Sequence, residues 1–295
     1  MLAEALPYIQ RFRGATFVIK YGGHAMLSPE LRANFAQDVV LLQSLGIKPV
    51  IVHGGGPQIN DLITRLGLSS SFVRGMRVTD AATMDAVEMV LQKINKELVA
   101  LIWAQGGRAI GLSGKDGNLL VARKLYLQDK GKNGRSKPLD IGLVGEVAAI
   151  NPVALEALEP AGFIPIIAPI GAGADGMTYN INADVAAGAL AGALHAQKLM
   201  LLTDVEGVKD KDGSLLNTID SARANRMIAS GAISEGMIPK VECCLAALDA
   251  GAAAAHIVDG RVPHSVLLEV FTDSGVGTEV VRAAPSSRNG RRPSA

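Results

Sequence analysis

Cysteine is almost missing from this chain. Cys243 and Cys244 are the two it has, and they are neighbours. Adjacent positions neither build a disulfide framework nor offer metal-ligand spacing. They read instead as small apolar residues on a helix in a reducing cytoplasm. An excess of one charge is missing too: 29 Lys and Arg stand against 28 Asp and Glu, for a net +1. That balance removes the electrostatic case for nucleic acid or an anionic membrane surface as partner. No run of about 18 apolar residues is present to span a bilayer. The nearest approach, Ala183 to Leu194, is interrupted by Asp184 and closed by His195 and Lys198. No basic segment leads into an apolar stretch at the N-terminus, as a secretory leader requires. Aromatic residues are scarce at 4%, so the core must be built from aliphatic and small side chains.

Glycine is abundant, at 33 residues in a chain that is 48% hydrophobic. The glycines cluster where apolar runs end, as in tight βα turns. At 295 residues the chain is long enough for one large α/β domain or two closely packed ones. Its organising stretch is Val50-Ile51-Val52-His53-Gly54-Gly55-Gly56-Pro57-Gln58-Ile59-Asn60. A buried strand end runs into three glycines, and Pro57 suits the first turn of a helix, where its missing N–H is no loss. Strand, glycine turn and helix start together expose backbone N–H groups to a small anion. The same stretch also reads as a tight turn with no ligand. It is neither a Walker loop, since no Gly-Lys-Ser/Thr follows, nor a dinucleotide fingerprint, since Gly-Gly-Gly-Pro-Gln does not match G-x-G-x-x-G.

In chain order, Leu2, Leu6, Ile9 and Phe12 mark a short amphipathic helix that needs a partner for its apolar stripe. Thr16 to Lys20 reads as a buried strand ended by Tyr21-Gly22-Gly23. Lys20 thus falls at the strand's C-terminal end, the edge where open α/β sheets bind ligands. A lysine reaching solvent is the plainer alternative. Helices are expected over Pro29 to Leu45, over Ile59 to Leu66 and from Ala81, the last capped by Thr79 or Asp80. Arg77, just before that cap, either grips a carboxylate or is merely solvated. Strands are expected at Ala109 to Leu112, Ile141 to Ile150, Phe163 to Ala168, Leu199 to Leu202 and Ala254 to Val258. A hairpin tip is expected at Asp129 to Lys137, and a short edge strand at Glu279 to Val281. Asp184 falls in the first turn of a small-residue helix, where a carboxylate is favourable. Lys240 lies near another helix start, where a cation is unfavourable unless an anion shares the site. The Pro-, Ser- and Arg-rich tail from Arg282 reads as disordered, as residues 283–295.

These motifs together resemble the amino acid kinase family. They are Ile19-Lys20-Tyr21-Gly22-Gly23, His53-Gly54-Gly55-Gly56-Pro57-Gln58-Ile59, Arg77-Val78-Thr79-Asp80 and Asn180-Ile181-Asn182-Ala183-Asp184, then Leu201 to Val208 and Gly236-Met237-Ile238-Pro239-Lys240. The resemblance spans the chain from Lys20 to the Gly275 loop, and is nearest the branch that phosphorylates N-acetyl-L-glutamate in arginine biosynthesis. It implies an α/β fold with an open, mainly parallel central sheet and helices on both faces, three layers in all. It implies an N-terminal helix over 1–13, an acyl amino acid lobe over 14–173 and a nucleotide lobe over 174–282. Lys20 and Lys240 match the lysines that stabilise the transferring phosphoryl group, and Asp184 the acid that holds them. Gly55, Gly56, Arg77 and Asn180 match the substrate site. Gly22, Gly23, Thr203, Asp204 and Gly207 match the nucleotide site, with Mg²⁺ brought by ATP and no metal ligand assigned to the protein. Tyr8, Lys198, Glu269, Gly275 and Gly277 match the pocket of members that L-arginine inhibits. Those members assemble as hexamers, trimers of dimers, through the N-terminal helix. Some members in oxygenic phototrophs also bind a PII-type signalling protein. The alternatives are a kinase for another acylated amino acid such as N-acetylaminoadipate, a non-catalytic arginine sensor, and a dinucleotide-dependent oxidoreductase. The last lacks its fingerprint.

Overall fold

The computed structural model describes residues 2–130, 136–233, 236–272 and 274–283. Of the expected hairpin tip at Asp129 to Lys137, residues 131–135 lie outside the described residues, while 129–130 and 136–137 pair in the ladder of two long strands. The expected tail from 284 on also lies outside the described residues. The chain begins with α1 (Leu2–Phe12), β1 (Thr16–Tyr21), α2 (Pro29–Ser44), β2 (Lys48–His53) and α3 (Gly56–Arg65). A small hairpin, β3 (Phe72–Val73) and β4 (Met76–Arg77), precedes α4 (Ala81–Ala104) and β5 (Ala109–Ser113). The long strands β6 (Leu120–Lys130) and β7 (Ser136–Ile150) follow, then α5 (Val153–Leu158), β8 (Ile164–Ala168), β9 (Ile170–Gly173) and β10 (Thr178–Ile181). The last part comprises α6 (Ala183–Ala193), β11 (Lys198–Thr203), β12 (Thr218–Asp220), α7 (Ser221–Ala229), α8 (Ile238–Ala250), β13 (Ala255–Asp259), α9 (Ser265–Phe271) and β14 (Thr278–Val281).

Among the described residues, eight strands form one sheet in the order β12-β14-β13-β11-β1-β2-β8-β5. Pairing is parallel from β13 through to β5, while β14 runs antiparallel to β13. Strand side chains alternate between faces, so each strand feeds two cores. Ile19 and Ile51 pack with Val39 and Leu42 of α2 and Leu91 and Ile94 of α4. Val18, Val50 and Val52 pack on the other face with Leu190 of α6 and Val241 of α8. Burial on both faces is why these strands read as unbroken aliphatic runs. The result is the expected three-layer α/β architecture. A second set of strands, β6, β7, β9 and β10, closes into a small barrel.

The small-residue helix serves helix–helix contact as well as packing on the sheet. A Cβ on Gly192 would lie 2.4 Å from Ala250 Cβ, and one on Gly188 3.0 Å from Cys243 Sγ. Close approach of α6 and α8 therefore depends on glycine, and it brings the two helix starts side by side. Asn182 caps α6, accepting from Asp184 N (2.9 Å) and Val185 N (3.3 Å). Asp80, one of the two expected caps, starts α4 by accepting from Thr83 N at 2.8 Å. Two expectations need correction. The strand near residue 279 is not at the sheet edge, because β12 pairs outside it. The tail does not begin at Arg282, whose Nε donates to Leu248 O (3.1 Å), nor at Ala283, whose N–H donates to Ser221 Oγ (3.1 Å). Among the described residues, no helix is long and apolar enough to cross a membrane.

Candidate active site

Parallel strands that end together put their following turns on one edge. Lys20 pairs in register with Val52 of β2 and Leu201 of β11. Gly22 and Gly23 therefore lie beside the glycine turn after β2, and Gly54 N donates to Tyr21 O at 2.8 Å. The starts of α6 and α8 arrive at the same edge and carry Asp184 and Lys240. Lys20 Nζ lies 3.0 Å from Asp184 Oδ1, and Lys240 Nζ donates to Asp184 Oδ2 at 3.2 Å. The three side chains are 12%, 16% and 23% exposed for Lys20, Asp184 and Lys240. Burial alone would push the Asp184 carboxyl up. The two ammonium groups more than offset it, and the carboxyl sits below its ordinary range. Lys240 at a helix start thus has its anion. Cys243 Sγ donates to Asp184 O (3.0 Å) and ties α8 to α6 at this point.

On one side of this ionic group lies a cavity of about 360 Å³ bordered by Gly54, Gly55, Gly56, Arg77 and Asn180. Gly55 has no room for a side chain, since a Cβ there would meet Ile94 Cδ1 at 2.8 Å. A Cβ on Gly56 would meet nothing within 4 Å, so its lack of a side chain leaves space rather than filling a tight contact. Arg77 is buried, and burial lowers its guanidinium pKa from the ordinary value. It is held by Ser70 Oγ, by Asn60 Oδ1 (2.7 Å) and by the Phe72 ring, 4.7 Å from its centroid. Asn180 Nδ2 donates to Thr79 Oγ1 at 3.5 Å. Asn60 closes the glycine stretch but has no role assigned from sequence, and no local motif marks Ser70 or Phe72. The barrel closes this cavity from above with Leu125, Val144 and Glu146.

A second cavity, about 480 Å³, is bordered by Asp204, Gly207, Lys209, Met237 and Arg261. Gly23 lies behind Asp204 in the left-handed region (φ 74°), and a Cβ there would sit 2.6 Å from Asp204 Oδ1. Gly22 is less constrained, but a Cβ there would lie 2.9 Å from Lys20 Nζ and would displace that ammonium group. The Thr203 hydroxyl closes its own turn, accepting from Val205 N at 3.0 Å. Arg261, which sequence reading missed, forks onto Asp259 at 2.9 and 2.7 Å and holds that carboxyl below the usual range.

Tyr8, Lys198, Glu269 and Gly275 meet away from both cavities, around a third of about 280 Å³ between α1 and α9. His256 and Glu279 join them there. Glu269 accepts from Val276 N (2.7 Å), Gly277 N (3.0 Å) and His256 Nδ1 (2.7 Å). Gly277 supplies backbone to this cluster, and a Cβ on it would strike Ile257 O at 2.3 Å.

The chain is similar to known proteins over nearly its whole length. The acetylglutamate kinase of Geobacter sp. strain M21 is 58% identical over 280 residues, covering 95% of this chain and 96% of that protein. Among solved structures, N-acetylglutamate synthase from Neisseria gonorrhoeae in complex with coenzyme A and N-acetyl-glutamate superposes with a TM-score of 0.84 at 28% identity, over 96% of this chain. The same synthase with coenzyme A and L-arginine gives a TM-score of 0.79 at 27% identity. This chain spans 63% of the length of the first synthase structure and 65% of the second. The model of the amino acid kinase family matches residues 15–259, from the start of β1 to the end of β13. With that match including Lys20, Asp184 and Lys240, the chain belongs to the amino acid kinase family.

Proposed function

We propose that this chain transfers the γ-phosphoryl group of Mg-ATP to the side-chain carboxylate of N-acetyl-L-glutamate. The products are N-acetyl-L-glutamyl 5-phosphate and ADP, in the second step of arginine biosynthesis in the cytoplasm. The observation that carries this reading is the near full-length likeness to an acetylglutamate kinase. The ionic group between two cavities gives it a chemical rationale.

The acceptor is a glutamate-type carboxylate that ordinarily titrates near pH ~4.3, so it is already ionised at neutral pH and no general base is required. One of its oxygens attacks the γ-phosphorus while the bond to the β–γ bridging oxygen breaks and ADP leaves. No proton moves. The obstacle is repulsion between two anions and charge on the transferring oxygens, which positioned cations and N–H groups relieve. Lys20 and Lys240 are assigned that role, and Asp184 keeps both ammonium groups in place. Gly55 and Gly56 cradle the acceptor, and Arg77 with Asn180 grips its α-carboxylate. Gly22, Gly23, Thr203, Asp204 and Gly207 border the nucleotide, with Arg261 added from the geometry. Residues 14–173 form the acyl amino acid lobe and 174–282 the nucleotide lobe. Among the described residues, no group of three or more His, Cys, Asp or Glu gathers to hold a metal, and the Asp184 carboxylate faces two lysines. Mg²⁺ is assigned to ATP, held through phosphates and water.

The third cavity is assigned to L-arginine as feedback inhibitor. Support comes from its carboxylates, Glu269 and Glu279, its position against α1, and the arginine complex of the similar synthase. Assembly through α1 into a hexamer, a trimer of dimers, is supported by Leu6, which is 50% exposed on that helix. ADP release measured with each of several acceptors tests the whole reading. Release with N-acetylglutamate and not with glutamate, aspartate or N-acetylaminoadipate is expected. Free coenzyme A from acetyl-CoA and glutamate, without ADP release, would overturn it.

A further inference from the structure

Two fully buried polar side chains have no part in the reaction as described: His53 at the end of β2 and Asn95 within α4, both 0% exposed. Their partners determine where the protons lie. Asn95 Nδ2 is 2.8 Å from Ile166 O, 3.2 Å from Leu112 O and 3.2 Å from His53 Nε2. Carbonyls only accept, so the atom facing them must be the amide nitrogen. It has two hydrogens for three acceptors, but no lone pair that could take a proton from His53, so Nε2 faces it as the unprotonated, acceptor nitrogen. A neutral imidazole that accepts at Nε2 carries its proton on Nδ1. That proton is donated to Gly54 O, 3.0 Å away. Burial keeps the ring neutral, with a pKa lowered to about 4.

Gly54 is thereby held at both ends, its N–H by Tyr21 O and its carbonyl by His53. In a planar trans peptide the carbonyl of Gly54 and the N–H of Gly55 point in opposite directions. Turning the carbonyl toward the imidazole turns Gly55 N–H away from it. Gly55 borders the 360 Å³ cavity, and among the described residues its N–H makes no backbone hydrogen bond. Asn95 Oδ1 is buried without a partner, and a Cβ on Gly111 would lie 1.8 Å from it. A buried acceptor left unpaired is unfavourable for stability, by ~1–3 kcal/mol.

We propose that His53, oriented by Asn95, is a positioning residue for phosphoryl transfer: its Nδ1–H sets the Gly54–Gly55 peptide so that Gly55 N–H faces the transferring group. The proposal rests on the kinase reading above. Two substitutions separate the two ring nitrogens. His53→Asn keeps a donor near the Nδ1 position, and His53→Gln keeps only the contact toward Asn95. His53→Gln should lower kcat by ~10²-fold, the scale of one lost oxyanion-type donor, while His53→Asn stays within about tenfold of wild type. KM for both substrates should change by less than about threefold in either variant. Equal kcat losses in both, tracking their loss of Tm, would overturn the proposal, as would full activity in His53→Gln. The ¹⁵N shifts of the wild-type His53 ring test the geometry without any variant. An Nδ1-protonated neutral tautomer is expected, and an Nε2-protonated ring would overturn the proposal. A wild-type chain that releases no ADP with any acceptor would instead overturn the kinase reading, and this proposal with it.

Discussion

Asp184→Asn is the substitution that bears hardest on the arrangement of the site. Asp184 faces Lys20 at 3.0 Å and Lys240 at 3.2 Å, and none of the three side chains is more than 23% exposed. At an effective dielectric near 20, each contact is worth about 5 kcal/mol before desolvation is subtracted. Breaking a buried pair by removing one partner costs ~3–5 kcal/mol, because the other charge stays behind. Here two like charges stay behind, and an amide offers them one neutral oxygen. We expect the ammonium groups to move apart, and stability to fall by ~3 kcal/mol, roughly 5 °C in Tm for a chain of this size. Displacing one positioned donor lowers kcat by ~10²–10³-fold, and the two lysines act as one unit, so the combined loss is of order 10³ rather than a product. Asp184 is not among the residues bordering either cavity, so KM for both substrates should hold. The assay is steady-state ADP release beside thermal unfolding of the same preparations. A variant that keeps kcat within about tenfold of wild type would refute the reasoning.

Lys240→Ala should lose mainly kcat, by ~10²-fold, and an unchanged turnover would remove Lys240 from the mechanism. Arg77→Ala should instead raise KM for the acyl amino acid about 10–100-fold with kcat little changed, since the lost charged hydrogen bonds serve binding. Deleting residues 1–12 should leave activity and lower arginine sensitivity, checked by inhibition curves; an unaltered response would refute the assignment of the third cavity. Asp38 offers a pH test. Burial raises its carboxyl from 3.8 to about 6, against the lowering effect of its 2.6 Å contact with His264. Between those values the folded chain holds a proton that the unfolded chain has lost, so stability falls as pH rises through the window. At ~1.4 kcal/mol per pH unit the effect is of order 3 kcal/mol, and Asp38→Asn should be the more stable form above pH ~6 and lose its advantage below pH ~4. Unfolding free energies measured across that range check the sign.

The site was legible where chemistry is compressed into short stretches. A strand end followed by glycines marks the ligand edge of an open sheet, and Lys20, Gly22, Gly23, Gly55 and Gly56 could be read that way. Asp184 and Lys240 were legible as charges at helix starts. Their meeting was not, because it depends on Gly188 and Gly192 letting α6 and α8 approach. The barrel was unreadable for a similar reason. β9 is Ile-Gly-Ala-Gly and β10 only four residues, so neither carries a period, and their pairing with β6 and β7 is non-local. Helix α7 buries only Ala224 and Met227, which is too sparse a stripe to stand out. Helix α9 is seven residues long, a length at which strand and helix look alike. The insertion of β14 between β12 and β13 left no local mark, so the last strand read as an edge. The Asn95 network joins α4, β2, β5 and β8, and only tertiary structure assembles it.

The most direct measurement is acyl-phosphate formation from Mg-ATP, trapped as the hydroxamate with hydroxylamine. Hydroxamate from N-acetylglutamate, in step with ADP release, is what the account predicts. ADP released at the same rate without hydroxamate, or hydroxamate from another acceptor in its place, would contradict the claim that this site phosphorylates the side-chain carboxylate of N-acetylglutamate.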